Sequence, residues 1–222
     1  WYRPKLRAAQ LGLFRFMGTT ETSKHRVFQF IGGEYVADHM IVCFASESPL
    51  VLGTLSSRLH VVWSLAAGGT LENRPRYNKA VCFEPFPFPN TTAHQDKRIG
   101  DLAEEIDALR KRQQAAHADL TLTGIYNVLE KLRAGDELTD KERVIHEHGL
   151  VSVLRDLHDQ LDAAVFEAYG WSDLGEVLVG RPGATTPLPD MPEDHAAAAE
   201  ELLRRLVALN AERAAAEAQG HV

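Results

Sequence analysis

Apolar positions change their spacing near residue 90. Before it, Leu13 to Met17, Val27 to Ile31, Met40 to Phe44 and Lys79 to Phe83 are short β-branched and aromatic runs that read as strands. Gly32-Gly33 between the second and third predicts a turn joining two sheet strands. Leu50 to Ala67 is apolar almost all round, with Leu52, Leu55, Leu59, Val62, Trp63 and Ala66 at helical spacing and Gly68-Gly69 as a stop, so it predicts one mostly buried helix.

Pro85 to Pro89 cannot continue a central strand or helix, because proline lacks the backbone donor and restricts its predecessor. The run is expected to mark a domain boundary, dividing the chain into residues 1–90 and 91–222. Beyond it the period becomes 3.6. Ile99, Leu102, Ile106 and Leu109 form one stripe, Leu122, Ile125, Leu129 and Leu132 a second, and Leu150, Leu154, Leu157, Leu161 and Val165 a third. Thr139-Asp140-Lys141-Glu142 fits a capping box between the second and third. Glycine and proline between Gly175 and Met191 predict an exposed connector, and an Ala-rich helix is expected from about Pro192. The fold class is therefore α+β: a mixed domain with a small sheet and a buried helix, followed by an all-α segment. No internal repeat is visible.

Composition narrows the class. Of 222 residues, 45% are hydrophobic, 25% charged and 8% aromatic, ordinary for a soluble globular protein. No run approaches a membrane span, and the start at Trp1 lacks the order of a signal peptide and looks like an excised piece of a longer chain. Cys43 and Cys82 lie in apolar stretches and read as buried thiols, which favours a cytoplasmic setting. The net charge of −7 hides an asymmetry. Through Asn90 ten Lys and Arg face six Asp and Glu, whereas the remainder holds fourteen basic and twenty-five acidic residues. A polyanion would meet its basic footprint in the first part.

The candidate chemistry is concentrated there. In Glu72-Asn73-Arg74-Pro75-Arg76, arginine forks match the two major-groove acceptors of guanine and Glu can accept from the cytosine amino group. The same spacing also fits a solvated charge cluster. Lys24-His25-Arg26 before a strand could position phosphates or line a solvated strand entrance. Ser56, Ser57 and Arg58 could grip a phosphate, or permit close helix packing with a local ion pair. Tyr77 is expected to bury its ring, while Asn78 could reach adenine and Lys79 a phosphate. His146-Glu147-His148 lacks the spacing that puts ligands on one helical face and reads as a surface cluster. Ser56 or Ser57 with His60 has no acidic orienter or nucleophile turn, so no catalytic residue is assigned.

Six ordered blocks carry a resemblance that spans nearly the whole chain: Thr22-Ser23-Lys24-His25-Arg26-Val27-Phe28; Leu52 through Trp63; Arg76-Tyr77-Asn78-Lys79 leading to Phe86-Pro87-Phe88-Pro89; Leu157 through Val165; Ala168-Tyr169-Gly170-Trp171; and Leu206 through Arg213. Their order resembles the C-terminal half of bacterial DNA adenine-N6 methyltransferases, including MmeI-like type IIL restriction-modification enzymes. In that family a domain that binds S-adenosylmethionine and carries an Asn/Asp-Pro-Pro-aromatic motif precedes the target recognition domain and a helical segment. Neither that tetrapeptide nor a glycine-rich cofactor loop occurs in this sequence. The resemblance implies double-stranded DNA as partner, an upstream methyltransferase domain of the same polypeptide, and no cofactor in this part. It places base readers on Glu72, Arg74 and Arg76, with a second reading position at His39 and Met40. The competing class is a helical protein-interaction or structural module that does not bind DNA.

Overall fold

The computed structural model describes residues 4–71, 74–188 and 190–220. A short helix α1 (Pro4–Gln10) leads into three strands, β1 (Arg15–Thr20), β2 (Gln29–Gly32) and β3 (Ile41–Phe44). The strand order is β2-β1-β3, and both outer strands run antiparallel to β1, with Met17 opposite Phe30 on one side and Phe44 on the other. The predicted β2–β3 hairpin is thus corrected: β1 lies between them. Gly33 turns back to donate its N–H to Phe14 O at 2.8 Å, and the chain then crosses to the far edge of β1. Met17, Phe30 and Phe44 of the sheet, with Phe28 just before β2, pack with Leu52, Leu55, Tyr77 and Cys82.

The apolar run from Leu50 is two helices, α2 (Pro49–Ser56) and α3 (Arg58–Gly68), bent by 64° at Ser57. Ser57 is extended at φ −75°, ψ 156°, and its hydroxyl donates back to Thr54 O at 2.7 Å. The backbone N–H of Arg58, an orphan at the start of α3, donates to Asp162 Oδ1 at 2.7 Å. A carboxylate more than a hundred positions away thus caps the second helix, which is why the apolar pattern alone reads as continuous.

A two-residue ribbon, β4 (Thr70–Leu71) with β5 (Arg74–Pro75), precedes α4 (Lys79–Cys82). The strand expected over Lys79 to Phe83 is helical because the Asn78 side chain caps it, accepting from Ala80 N at 3.0 Å.

The helical part comprises α5 (Ala93–Ala116), α6 (Leu122–Ala134), α7 (Asp140–His148), α8 (Val151–Tyr169), α9 (Ser172–Leu178) and α10 (Glu193–Ala218). Thr139 and Glu142 form the expected capping box, and Thr92 with Gln95 forms another. Helix α5 lies against α2 closely enough that a Cβ on Gly53 would stand 2.6 Å from Ile99 Cγ2. The largest core runs across residue 90, joining Leu59, Trp63 and Phe86 to Ile106, Leu129, Leu161, Phe166, Leu202 and Leu206.

The segment expected as an exposed connector is corrected too. Leu178, Ala184 and Thr185 are buried. Its backbone groups find partners, which is what permits burial. Arg58 donates to the carbonyls of Arg181 and Pro182, Gly183 N donates to Glu130 Oε2 at 2.6 Å, and Thr185 O accepts from Arg26 N at 2.7 Å. Cys43 and Cys82 are not joined in a disulfide, and Cys82 is buried. No single described helix is long and apolar enough to cross a membrane.

Candidate nucleic-acid interface

Strand β1 ends at Thr20, and the next residues become the centre of a small platform. Glu21 N donates to Met40 O and Glu21 O accepts from Tyr77 N, both at 2.7 Å. Ser23 N donates to Pro75 O at 3.3 Å, and Thr22 pairs with Arg76 in an isolated antiparallel bridge. Two sequence positions some 35 residues apart, His39-Met40 and Arg74-Arg76, are therefore brought to opposite sides of one short segment.

Alternation along the loop decides which side chains reach out. Arg74 and Arg76 are exposed while Pro75 and Tyr77 are buried. Arg76 meets the Glu21 carboxylate, with Nε 2.8 Å and Nη2 2.6 Å from Oε1. Tyr77 sits under the platform, its hydroxyl 2.9 Å from His60 Nε2. Burial drives the His60 pKa down to about 3, with the Arg26 charge acting in the same direction, so the ring is neutral. Burial likewise raises the Tyr77 phenol above its ordinary range.

Arg26 is the strut beneath. Its guanidinium donates to Thr20 O, to Thr19 Oγ1 at 3.2 Å and to Pro75 O at 3.1 Å, tying the exit of β1 to the arginine loop. It also lies 5.1 Å from the Tyr77 ring centroid. Burial lowers its pKa to about 10, still well above neutrality.

Several sequence candidates are accordingly withdrawn from the accessible set. His25 and Arg26 are buried, and His25 bonds Thr185 Oγ1 and Asn127 Oδ1, each at 3.0 Å. Ser56, Ser57 and Arg58 are buried as well, with Arg58 held by Asp162 and the 181–182 carbonyls. A phosphate cannot reach these groups, because the interior covers them. Lys24 is exposed with Nζ 2.5 Å from Asn127 Oδ1, and Lys79 is exposed with Nζ 2.6 Å from Glu84 Oε1. Asn78 is exposed, although its side-chain oxygen caps α4. His39 and Met40 are exposed, and His39 Nδ1 lies 3.1 Å from Asp38 Oδ1. The Met40 backbone N–H, and to a smaller degree His39, hold the Asp38 carboxyl below its usual range. Glu72 lies outside the described residues.

Sequence reasoning missed Glu21. An acid one position past a strand carries no signal of an arginine 55 residues further on; only the pairing of the two segments reveals it. Away from this face, His146 bonds Ser152 Oγ at 2.8 Å and His148 stacks on His117, with ring centroids 4.0 Å apart. Among the described residues no three His, Cys, Asp or Glu side chains converge as a metal site would require.

Residues 18–90, which hold the small antiparallel sheet and its paired loops, are similar in sequence to a known family. They match the family model described as "MmeI, target recognition domain". An 89-residue stretch is 29% identical to DNA methyltransferase A of Bacillus subtilis (strain 168), covering 40% of this chain and 10% of that protein. The fold resembles a solved type IIL restriction-modification enzyme, MmeI, in complex with DNA, with a TM-score of 0.60 and 21% identity over 90% of this chain. The chain spans 22% of that solved chain.

Proposed function

We propose that this chain is the DNA-reading part of an adenine-N6 methyltransferase or fused restriction-modification enzyme. The observation that carries the reading is the platform: the family match over residues 18–90 coincides with a surface on which Arg74, Arg76, His39 and Met40 stand exposed around Glu21. Arg76 can place two donors on guanine O6 and N7, and Met40 can offer apolar contact to a thymine methyl group. His39 can donate to a base acceptor. Lys24, Lys79 and Asn78 flank these readers and suit phosphate contacts, which fix register without specifying sequence.

Catalysis belongs, in this reading, to a methyltransferase domain of the same polypeptide, which holds S-adenosylmethionine and receives the flipped adenine. This chain's own residues do not fit that cofactor, since it has neither the Asn/Asp-Pro-Pro-aromatic motif nor a glycine-rich loop. The partner is double-stranded DNA and the working place the cytoplasm.

The test is sequencing of methylated adenines in DNA from cells that express the full-length polypeptide. A discrete motif is expected, and Arg74→Ala and Arg76→Ala should each broaden it. A motif unchanged by both substitutions overturns the assignment of readers. If purified protein shows no salt-dependent DNA binding and no motif appears, the helical interaction module takes its place.

A further inference from the structure

We infer that Glu21 is the positioning residue of Arg76 and shares the reading of one G·C pair with it. This rests on the DNA-reading function proposed above. A guanidinium has two usable edges, a side-on edge made by Nε and one Nη, and an end-on edge made by both Nη groups. Glu21 occupies the side-on edge through a single oxygen, Oε1, at 2.8 Å from Nε and 2.6 Å from Nη2. Among the described residues nothing else bonds Arg76 side-chain nitrogens, so the end-on edge is left open. That is the edge that matches O6 and N7 of guanine. The other carboxylate oxygen, Oε2, is left to accept from the amino group of the paired cytosine, which lies beside guanine O6 in the major groove.

The backbone explains why the carboxylate can act as a fixed support. Glu21 is bonded on both sides, to Met40 O through its N–H and to Tyr77 N through its carbonyl, so its Cα is held between two neighbouring segments. Its side chain is 28% exposed against 54% for Arg76, so the acceptor sits deeper and the guanidinium is presented outward. A pair this exposed contributes little to stability, since surface ion pairs are screened and cost side-chain entropy. What it does fix is orientation: an unsupported arginine samples many rotamers, and holding it in place before DNA arrives removes part of the ordering cost of binding.

This role has a signature that a purely structural one lacks. Removing the carboxylate takes one negative charge from a surface that meets phosphates, so non-specific DNA binding should hold or strengthen while discrimination at one base pair falls. In the full-length polypeptide, Glu21→Ala is expected to leave the melting temperature unchanged. It should relax the adenine-methylation motif at the same position as Arg76→Ala, with a loss of about tenfold in preference for that base pair. Glu21→Gln keeps an oxygen acceptor for the side-on edge and should recover part of the preference. If Arg76→Ala relaxes one position and Glu21→Ala leaves it intact, the inference fails and the DNA-reading function stands. If Arg76→Ala leaves the motif intact, Arg76 reads no base and the inference fails with it, while the DNA-reading function is decided separately by Arg74→Ala and by salt-dependent DNA binding. Should Glu21→Ala lower the melting temperature and weaken all DNA binding alike, Glu21 is a folding residue and the inference is overturned.

Discussion

Tyr169, at the end of α8, donates its phenolic hydroxyl to the carbonyl oxygen of Pro87 at 2.8 Å. Two residues of α10 do the same for the neighbouring carbonyls: Asn210 donates to Pro85 O, and Arg213 donates to Phe88 O and lies 3.4 Å from Asn90 Oδ1. A run alternating phenylalanine and proline has carbonyls that no helix or ladder satisfies, so side chains from elsewhere must do it. Three of the six sequence blocks are thereby joined by one clamp, which fixes the end of the arginine loop against the helical part.

Tyr169→Phe keeps the ring and deletes that bond, leaving the Pro87 carbonyl short of a partner. The expected cost is about 1–2 kcal/mol, read as a lower urea midpoint with unchanged slope. Asn210→Ala should lower the midpoint to a similar extent.

The Arg58–Asp162 contact crosses the same core and is buried on both sides. Burial pushes the Asp162 carboxyl up against the opposing pull of Arg58, and pushes the Arg58 guanidinium down. Asp162→Ala removes the cap of α3 and strands a buried cation, with an expected loss of about 3–5 kcal/mol. Asp162→Asn retains an oxygen for Arg58 N and should cost less. An Arg58→Met, Asp162→Leu double variant more stable than Asp162→Ala would show that the unpaired charge dominates.

Acid should destabilise the fold through its buried histidines. Burial lowers the folded-state pKa of His60 to about 3, and that of His158 well below its ordinary value with Arg133 and Arg110 adding to the effect. Unfolded histidine takes up its proton near pH 6.5, so below that the unfolded chain binds more protons and stability falls as pH falls. Each histidine should contribute a slope of about 1.4 kcal/mol per pH unit below about 6.5. Urea midpoints at pH 7, 6 and 5 would measure it, and His60→Gln should flatten the dependence.

Gly68 lies against the arginine loop, where a Cβ would stand 2.2 Å from Arg76 O and 3.0 Å from Cys82 Sγ. The loop cannot simply retreat, because Arg76 N donates to Gly69 O at 3.1 Å. Gly68→Ala is expected to cost about 1–3 kcal/mol. It should also degrade sequence preference on DNA, checked by motif sequencing beside the urea midpoint.

Local chemistry was legible in the sequence wherever a short-range rule operates. Periodicity located α5, α6, α8 and α10, Thr139 and Glu142 declared their capping box, and the strands of the sheet appeared as β-branched and aromatic runs. The α+β class follows from these elements alone. The sequence pattern also favoured burial for Tyr77.

Tertiary structure decided everything that depends on a distant partner. Asp162 breaks the apolar run into α2 and α3, Asn78 turns an apparent strand into a helix, and the carbonyl partners of Arg26 and Arg58 draw both cations inside. A basic side chain looks the same in sequence whether it faces solvent or a buried carbonyl, since burial is set by which backbone groups the fold leaves unsatisfied nearby. For the same reason Glu21 and Arg76 became a pair only when the exit of β1 met the arginine loop.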